Sequence, residues 1–256
     1  MTVAGVEPLS LLFALAAGIV GGAMNALAGG GTFATMPTLI ALGLPSPIAN
    51  ATSNVALQPG AMASAWAYRA GLRPLGGLSV RLLAAITFVG GLAGSALLVA
   101  TPTQVFDRVI PWLLLIATLA IAGGKRLAER FADHATPGPK SLFGMQAVLG
   151  VYGGYFGGGV GLMMTAAWGL LAGEPPHKLM AQRTLMLAVA NSAATIIFIA
   201  LGMVRWVYCL PMLAGAIIGG WAGAALGKRL SPAVVRGWTI AVTAVTTAVF
   251  FWRAYG

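Results

Sequence analysis

The stretch GIVGGAMNALAGGGTFATMPTLIALGLPSPIANATSN, from Gly18 to Asn54, decides how the chain is read. It returns in altered form as GVYGGYFGGGVGLMMTAAWGLLAGEPPHKLMAQRT, from Gly150 to Thr184. With Gly18 set on Gly150, Gly21, Gly22 and Gly29 fall on Gly153, Gly154 and Gly161. After a gap of two residues, Gly43 and Pro45 fall on Gly173 and Pro175. An apolar text written twice, each copy interrupted by a glycine triplet, is the pattern of a membrane transporter built from two repeats.

Composition sets the solvent. The 256 residues are 59% hydrophobic and 8% charged, with a mean hydropathy of +0.89, more than a water-soluble core of this size needs. From Pro8 to Tyr68 the 61 residues include no Asp, Glu, Lys or Arg, enough for two or three bilayer crossings of about 20 residues each. The expected fold is an all-α integral membrane protein forming a single membrane domain over 1–256. Glu7 and the lack of Lys or Arg before the first apolar run argue against a cleaved signal peptide, so the first segment is expected to stay. Cys209 is the single cysteine, which excludes an intramolecular disulfide and a thiolate metal cluster; it reads as a packing residue. The net charge of +10 comes from cations in the loops between apolar runs, which fits a membrane protein's positive inner face better than a nucleic-acid partner.

Each repeat divides into five apolar pieces. Repeat one, 9–124, runs from Leu9 to Ala28, breaks at Gly29, Gly30, Gly31 and Thr32, resumes to Leu42, turns at GLPSP, and continues at 47–68, 80–100 and 109–124. Repeat two, 142–253, runs 142–156, breaks from Gly157, Gly158 and Gly159 to Gly161, resumes to Leu171, turns at GEPPH, and continues at 178–202, 206–227 and 233–252. The 125–141 stretch between them reads as a cytoplasmic, solvated connector; its His134 has no second ligand nearby, so no metal site is expected.

The second piece of each repeat is too short for a comfortable crossing. If the first two pieces act as one bent span, the repeats are parallel and the 15 Lys and Arg divide 9 to 6. If they go in and come back, as two short spans or a re-entrant hairpin, the repeats are inverted and the division is 12 to 3, with Arg108, Arg205 and Arg253 on the minority side. The sharper bias favours inverted repeats with both termini outside.

Close helix packing accounts for the Gly18–Gly22 and Gly150–Gly154 spacings. Three consecutive glycines go further, because each costs a helix about 1 kcal/mol relative to Ala, so both triplets are expected to interrupt their helices. In lipid, open backbone is tolerated only where protein covers it or a wet cavity adjoins it. Helix starts at Thr32 and at the expected Ser46 cap with Pro47 would aim free N–H groups at the first break, a setting that favours an anion. Asn25 precedes that break. Asn50, Asn54 and Gln58 follow at i, i+4 and i+8 on one face of the next helix, with Thr52 and Ser53 between them. Repeat two supplies Gln182, Arg183, Thr184 and Asn191. The amides either pair helix to helix or border the solute path, and Arg183 is either an interfacial cation or a buried counter-charge. Glu174 and His177 are expected at the cytoplasmic surface. None of Glu7, Asp107, Glu129, Asp133 or Glu174 lies well inside an expected span, which argues against a carboxylate-based cation pump.

The early GGAMNALAGGGTFATMPTLIALGLP, the following ANATSNVA and the weaker copy from Gly150 resemble the TauE/SafE sulfite-exporter family, also called the toluene-sulfonate uptake permeases. The resemblance spans about 9–253, with Thr52 and Ser53 on the family's Thr-Ser. It implies a bacterial inner-membrane transporter for sulfite, sulfonates or related sulfur-containing anions, without a cofactor. Expected partners are a small anionic substrate and the lipid bilayer, with a homo-oligomer as an option. The alternatives are a transporter or channel for another small solute, neutral or cationic, and an intramembrane enzyme, for which a buried nucleophile and base are missing. Filling the break with Gly30→Leu is expected to stop flux in proteoliposomes while membrane insertion, checked by fractionation, is kept.

Overall fold

A computed structural model of the chain describes residues 7–27, 29–131, 138–174, 176–227 and 231–256. The described residues form ten α-helices and no strand: α1 Pro8–Leu27, α2 Thr32–Ala41, α3 Ser46–Tyr68, α4 Val80–Ala100, α5 Thr103–Phe131, α6 Pro139–Tyr155, α7 Val160–Ala172, α8 Met180–Ala200, α9 Trp206–Gly227 and α10 Pro232–Tyr255. Six of these, α1, α4, α5, α8, α9 and α10, contain segments long and apolar enough to cross a bilayer. Their outer faces carry large bare apolar side chains, such as Val89 at 65% and Trp252 at 80% exposure, a surface suited to lipid. The protein is a multi-pass membrane protein.

Both glycine triplets interrupt their helices. At the first, α1 ends at Leu27 and α2 begins at Thr32; at the second, α6 ends at Tyr155 and α7 begins at Val160. Gly29 (φ 79°) and Gly157 (φ 74°) adopt left-handed backbone, where a Cβ is strained, and each N–H bonds to the carbonyl five residues back, on Met24 and Tyr152. The two glycines therefore do the same task. The sequence register that paired Gly29 with Gly161 slips here by one helical turn, because α1 runs farther past its packing glycines than α6 does; Gly161 lies inside α7.

The short helices turn back on the helices before them. A Cβ on Gly21 would lie 2.6 Å from Thr35 Cγ2 and 3.0 Å from the Gly31 carbonyl, contacts that a continuous α1–α2 rod could not make. With 10 and 13 residues, α2 and α7 are about 15–20 Å long, well short of a hydrocarbon core of about 30 Å.

Helix partners exchange between the halves. α1 packs on α9 and α6 on α4; α3 packs on α9 and α8 on α4; α2 meets α10 and α7 meets α5; the pairs α3–α8 and α5–α10 join the halves. The closest approaches are glycine contacts: a Cβ on Gly22 would come within 2.1 Å of the Ala216 carbonyl, and one on Gly154 within 2.0 Å of the Gly91 carbonyl. The packing role expected of Gly18–Gly22 and Gly150–Gly154 is what the structure has.

Several boundaries differ from the sequence reading; α5 starts six residues early, at Thr103, and α6 three early, at Pro139. α5 continues to Phe131 through Lys125–Glu129, because Lys, Arg, Leu, Ala and Glu are good helix formers once the chain has left the apolar layer. Ser46 does not cap α3: Pro45, with extended backbone, holds the N-cap position, Ser46 is the first helical residue, and its hydroxyl donates to the Asp107 carboxylate at the start of α5. His134 and Asp133 lie outside the described residues.

Gly154→Ala forces a methyl group into a backbone carbonyl and should destabilise the protein by about 1–3 kcal/mol, read as a lower melting temperature in detergent. Gly144→Ala, on the same helix with open space around it, should instead gain up to about 1 kcal/mol. Equal melting of the two variants would remove the need for close α4–α6 contact.

Candidate functional site

The two breaks meet in the middle of the molecule. A Cβ on Gly159, the N-cap of α7, would lie 3.3 Å from Phe33 in the first turn of α2. Leu187 of α8 stands between them, with its Cδ2 4.0 Å from a Cβ on Gly29 and 3.8 Å from one on Gly161. The starts of α2 and α7 thus converge, whereas the start of α3, expected to join them, is drawn off by Asp107.

Side chains from other helices satisfy the opened backbone. Asn25 Oδ1 accepts the Gly31 N–H at 2.9 Å, which covers one of the donors at the start of α2. Gly30 lies against the Phe33 ring, and Thr32 opens α2. Thr246 of α10 donates to the Phe33 carbonyl at 3.3 Å. At the second break Tyr152 donates to the Gly158 carbonyl at 2.8 Å, and Asn50 Nδ2 donates to the Tyr155 carbonyl at 3.1 Å. A Cβ on Gly157 would sit 3.7 Å from both Asn54 Nδ2 and Asn191 Oδ1, so this break opens directly onto the α3–α8 seam.

The amide stripe of α3 pairs across that seam. Asn54 Nδ2 donates to Asn191 Oδ1 at 3.3 Å, and Thr195 donates to Asn54 Oδ1 at 3.1 Å. Gln58 Nε2 reaches Ser192 Oγ at 2.6 Å and the Ala188 carbonyl at 3.2 Å. Thr52 accepts the Arg205 N–H at 3.1 Å, Ser53 shares a hydrogen bond with Thr35, and Thr184 gives its hydroxyl to carbonyls of its own helix. Helix-to-helix bonding, one of the two roles open to the stripe, therefore engages Asn54, Gln58 and Asn191. The supply of partners still falls short, since Asn50 Oδ1, Gln58 Oε1 and Gln182 Oε1 are buried with no hydrogen-bond partner among the described residues.

Arg183 is the charge at this centre. It lies in the first turn of α8, 9% exposed, with its stem 3.4 Å from a Cβ on Gly161. Among the described residues its guanidinium hydrogen-bonds only to Met180 Sδ, and no carboxylate pairs with it. Gln182 beside it is fully buried and donates to the Arg73 carbonyl at 3.0 Å. Glu174 lies at the end of the bundle, paired with Arg73. Tyr152, Ser192, Thr195 and Thr246 were missing from the sequence reading; Thr195 could have been found by stepping four residues on from Asn191. Among the described residues no three His, Cys, Asp or Glu side chains group as metal ligands would.

A bundle of membrane-spanning helices, with two broken helices meeting around buried polar groups, defines a multi-pass membrane transporter. The family described as Sulfite exporter TauE/SafE matches residues 14–250, and the chain belongs to this family. A probable membrane transporter protein of Haemophilus influenzae is 28% identical over 246 residues, covering 95% of this chain and 94% of its own length. The probable membrane transporter protein YfcA of Escherichia coli K12 is 28% identical over 252 residues, covering 98% and 93%. No solved structure matches the chain. These relationships mark a transporter and not an enzyme.

Asn25→Ala leaves the Gly31 N–H without its acceptor and should cost about 1 kcal/mol, seen as a lower melting temperature in detergent, while Asn25→Asp keeps an acceptor and should recover most of it.

Proposed function

We propose that the protein is a secondary transporter or exporter of small sulfur-containing anions, sulfite or sulfonates, across the bacterial inner membrane. The anion binds where the two breaks meet, and Arg183 is its counter-charge. One observation carries this reading: a buried arginine with no carboxylate partner among the described residues lies with its stem against Gly161, in the first turn of α7. A cation held within a membrane costs about 2.5–3.5 kcal/mol, which an anion that neutralises it can offset. The helix starts add N–H groups and the positive ends of two dipoles. A potential of about 100 mV, negative inside, favours outward movement of each negative charge by about 2.3 kcal/mol.

The halves are inverted repeats in this reading, with both termini outside. The exchange of helix partners and the backward turn of α2 and α7 support it, because a first pair that goes in and comes back gives each half an odd number of crossings and so reverses the second half. The contacts at the bundle ends agree: Arg73 with Glu174 and Arg236 with the Ala122 carbonyl belong to the cation-rich end, and Tyr255 with the Arg108 carbonyl to the other.

Arg183→Ala should abolish sulfite and sulfonate flux in proteoliposomes, and Arg183→Lys should keep only part of it, since an ammonium lacks the planar fork that binds an oxyanion through two oxygens. Wild-type flux in Arg183→Ala would take Arg183 out of the site.

A further inference from the structure

We propose that Arg73 and Glu174 form a charged gate over the way to Arg183, and that Arg73 is a second anion contact from which an arriving anion displaces the Glu174 carboxylate. The proposal rests on the transport reading above and adds two residues that reading leaves unused.

Arg73 lies in the loop between α3 and α4, and Glu174 in the turn between α7 and α8, so their 3.1 Å contact ties one half of the molecule to the other. It is the single ion pair among the described residues. The side chains are 40% and 32% exposed, so water and solutes reach both partners. An ion pair this wet adds little net stability and opens readily.

The pair is also linked to the start of α8, the helix that carries Arg183. Gln182 holds the Arg73 carbonyl, and the next residue along α8 is Arg183. One guanidinium is wet and the other 9% exposed, and both stand at the same end of α8. The same turn of α8 carries the Gln182 amide, fully buried, with its Oε1 lacking a partner among the described residues.

The chemistry of exchange is balanced. A sulfite or sulfonate group, like a carboxylate, accepts two parallel N–H bonds from a guanidinium. An anion that takes the place of Glu174 leaves Arg73 neutralised and breaks the ion pair between the halves, while the bond from Gln182 to the Arg73 carbonyl remains. The released carboxylate then repels the anion toward Arg183.

The test compares wild type, Glu174→Gln and Arg73→Gln in proteoliposomes, with sulfite as the probe. Glu174→Gln removes the competitor and should lower the half-saturating sulfite concentration about two- to fivefold. Arg73→Gln removes the contact and should raise it about tenfold. A tie that is only structural is broken equally by either change, so shifts in the same direction, or no shift in both, would overturn the proposal. A second arm needs no substrate: in a Cys209→Ala background, Arg183→Cys is labelled in detergent with a neutral water-soluble maleimide. Adding Glu174→Gln should speed labelling at least about twofold, the weight of one wet ion pair; an unchanged rate would overturn the gate. If the wild type moves neither sulfite nor an alkyl sulfonate, the substrate reading falls, and the labelling rates alone decide the gate.

Discussion

The structure depends on one constraint: in an apolar solvent every opened peptide group must find a partner within the protein. Breaking two helices near the middle of the bundle exposes donors and acceptors where no lipid can meet them. The interior polar side chains are distributed to answer this need. Asn25 comes from α1, Asn50 from α3, Tyr152 from α6 and Thr246 from α10, and each bonds to a backbone group in or next to a break. The breaks thus fix the positions of four helices at once. This explains why α3, although 23 residues long, is not among the six strongly apolar spans: its polar face belongs to the seam and to the second break.

The second requirement is room. Two helices with polar faces can lie at the centre only if the outer helices close tightly around them, and backbone-to-backbone glycine contact lets them do so. Gly18 and Gly22 of α1 meet α9, and Gly150 and Gly154 of α6 meet α4; at Gly18, Gly22 and Gly154 a Cβ would run into a backbone carbonyl, and at Gly150 it would lie 3.2 Å from Thr87. Removing the side chains gives up dispersion contacts with lipid but gains the approach that buries α3 and α8. Glycine therefore has two separate tasks in this chain, packing in the scaffold and chain reversal at the site.

Those tasks look alike in one dimension, which marks the limit of what the sequence could tell. The triplets were legible as breaks because packing needs only one glycine per turn, and the short helices were legible from their length between Gly and Pro turns. The one-turn slip between Gly29 and Gly161 was not, since a packing glycine and a reversing glycine carry the same letter. Ser46 looked like a cap because Ser before Pro usually is one; Asp107, 61 residues away, claims its hydroxyl instead. The amides of α3 were visible as a stripe, but their partners Ser192 and Thr195 follow from the crossing of α3 with α8, a tertiary fact. The far end of α5 was hidden for the opposite reason: charge was taken to end the span, and a helix leaving lipid does not stop where its hydropathy does.

The two halves share a backbone plan without sharing chemistry, and this bears on how many solutes the site can hold. Gly150 meets Thr87 where Gly18 meets Met212. Around Thr87 the second half has built a buried chain: Trp168 Nε1 donates to Gln146 Oε1 at 2.9 Å, and Gln146 Nε2 donates to Thr87 Oγ1 at 2.6 Å, binding α7 to α6 and α4. The apolar Met212 cannot support such a chain at the first half's matching contact. The same imbalance holds at the centre, where α8 brings Arg183 and the buried part of α3 brings only neutral groups. A site with perfect twofold symmetry would hold two equal charges and repel itself. With Arg183 as the one buried cation at the junction among the described residues, the electrostatics of the proposed site suit one anion at a time.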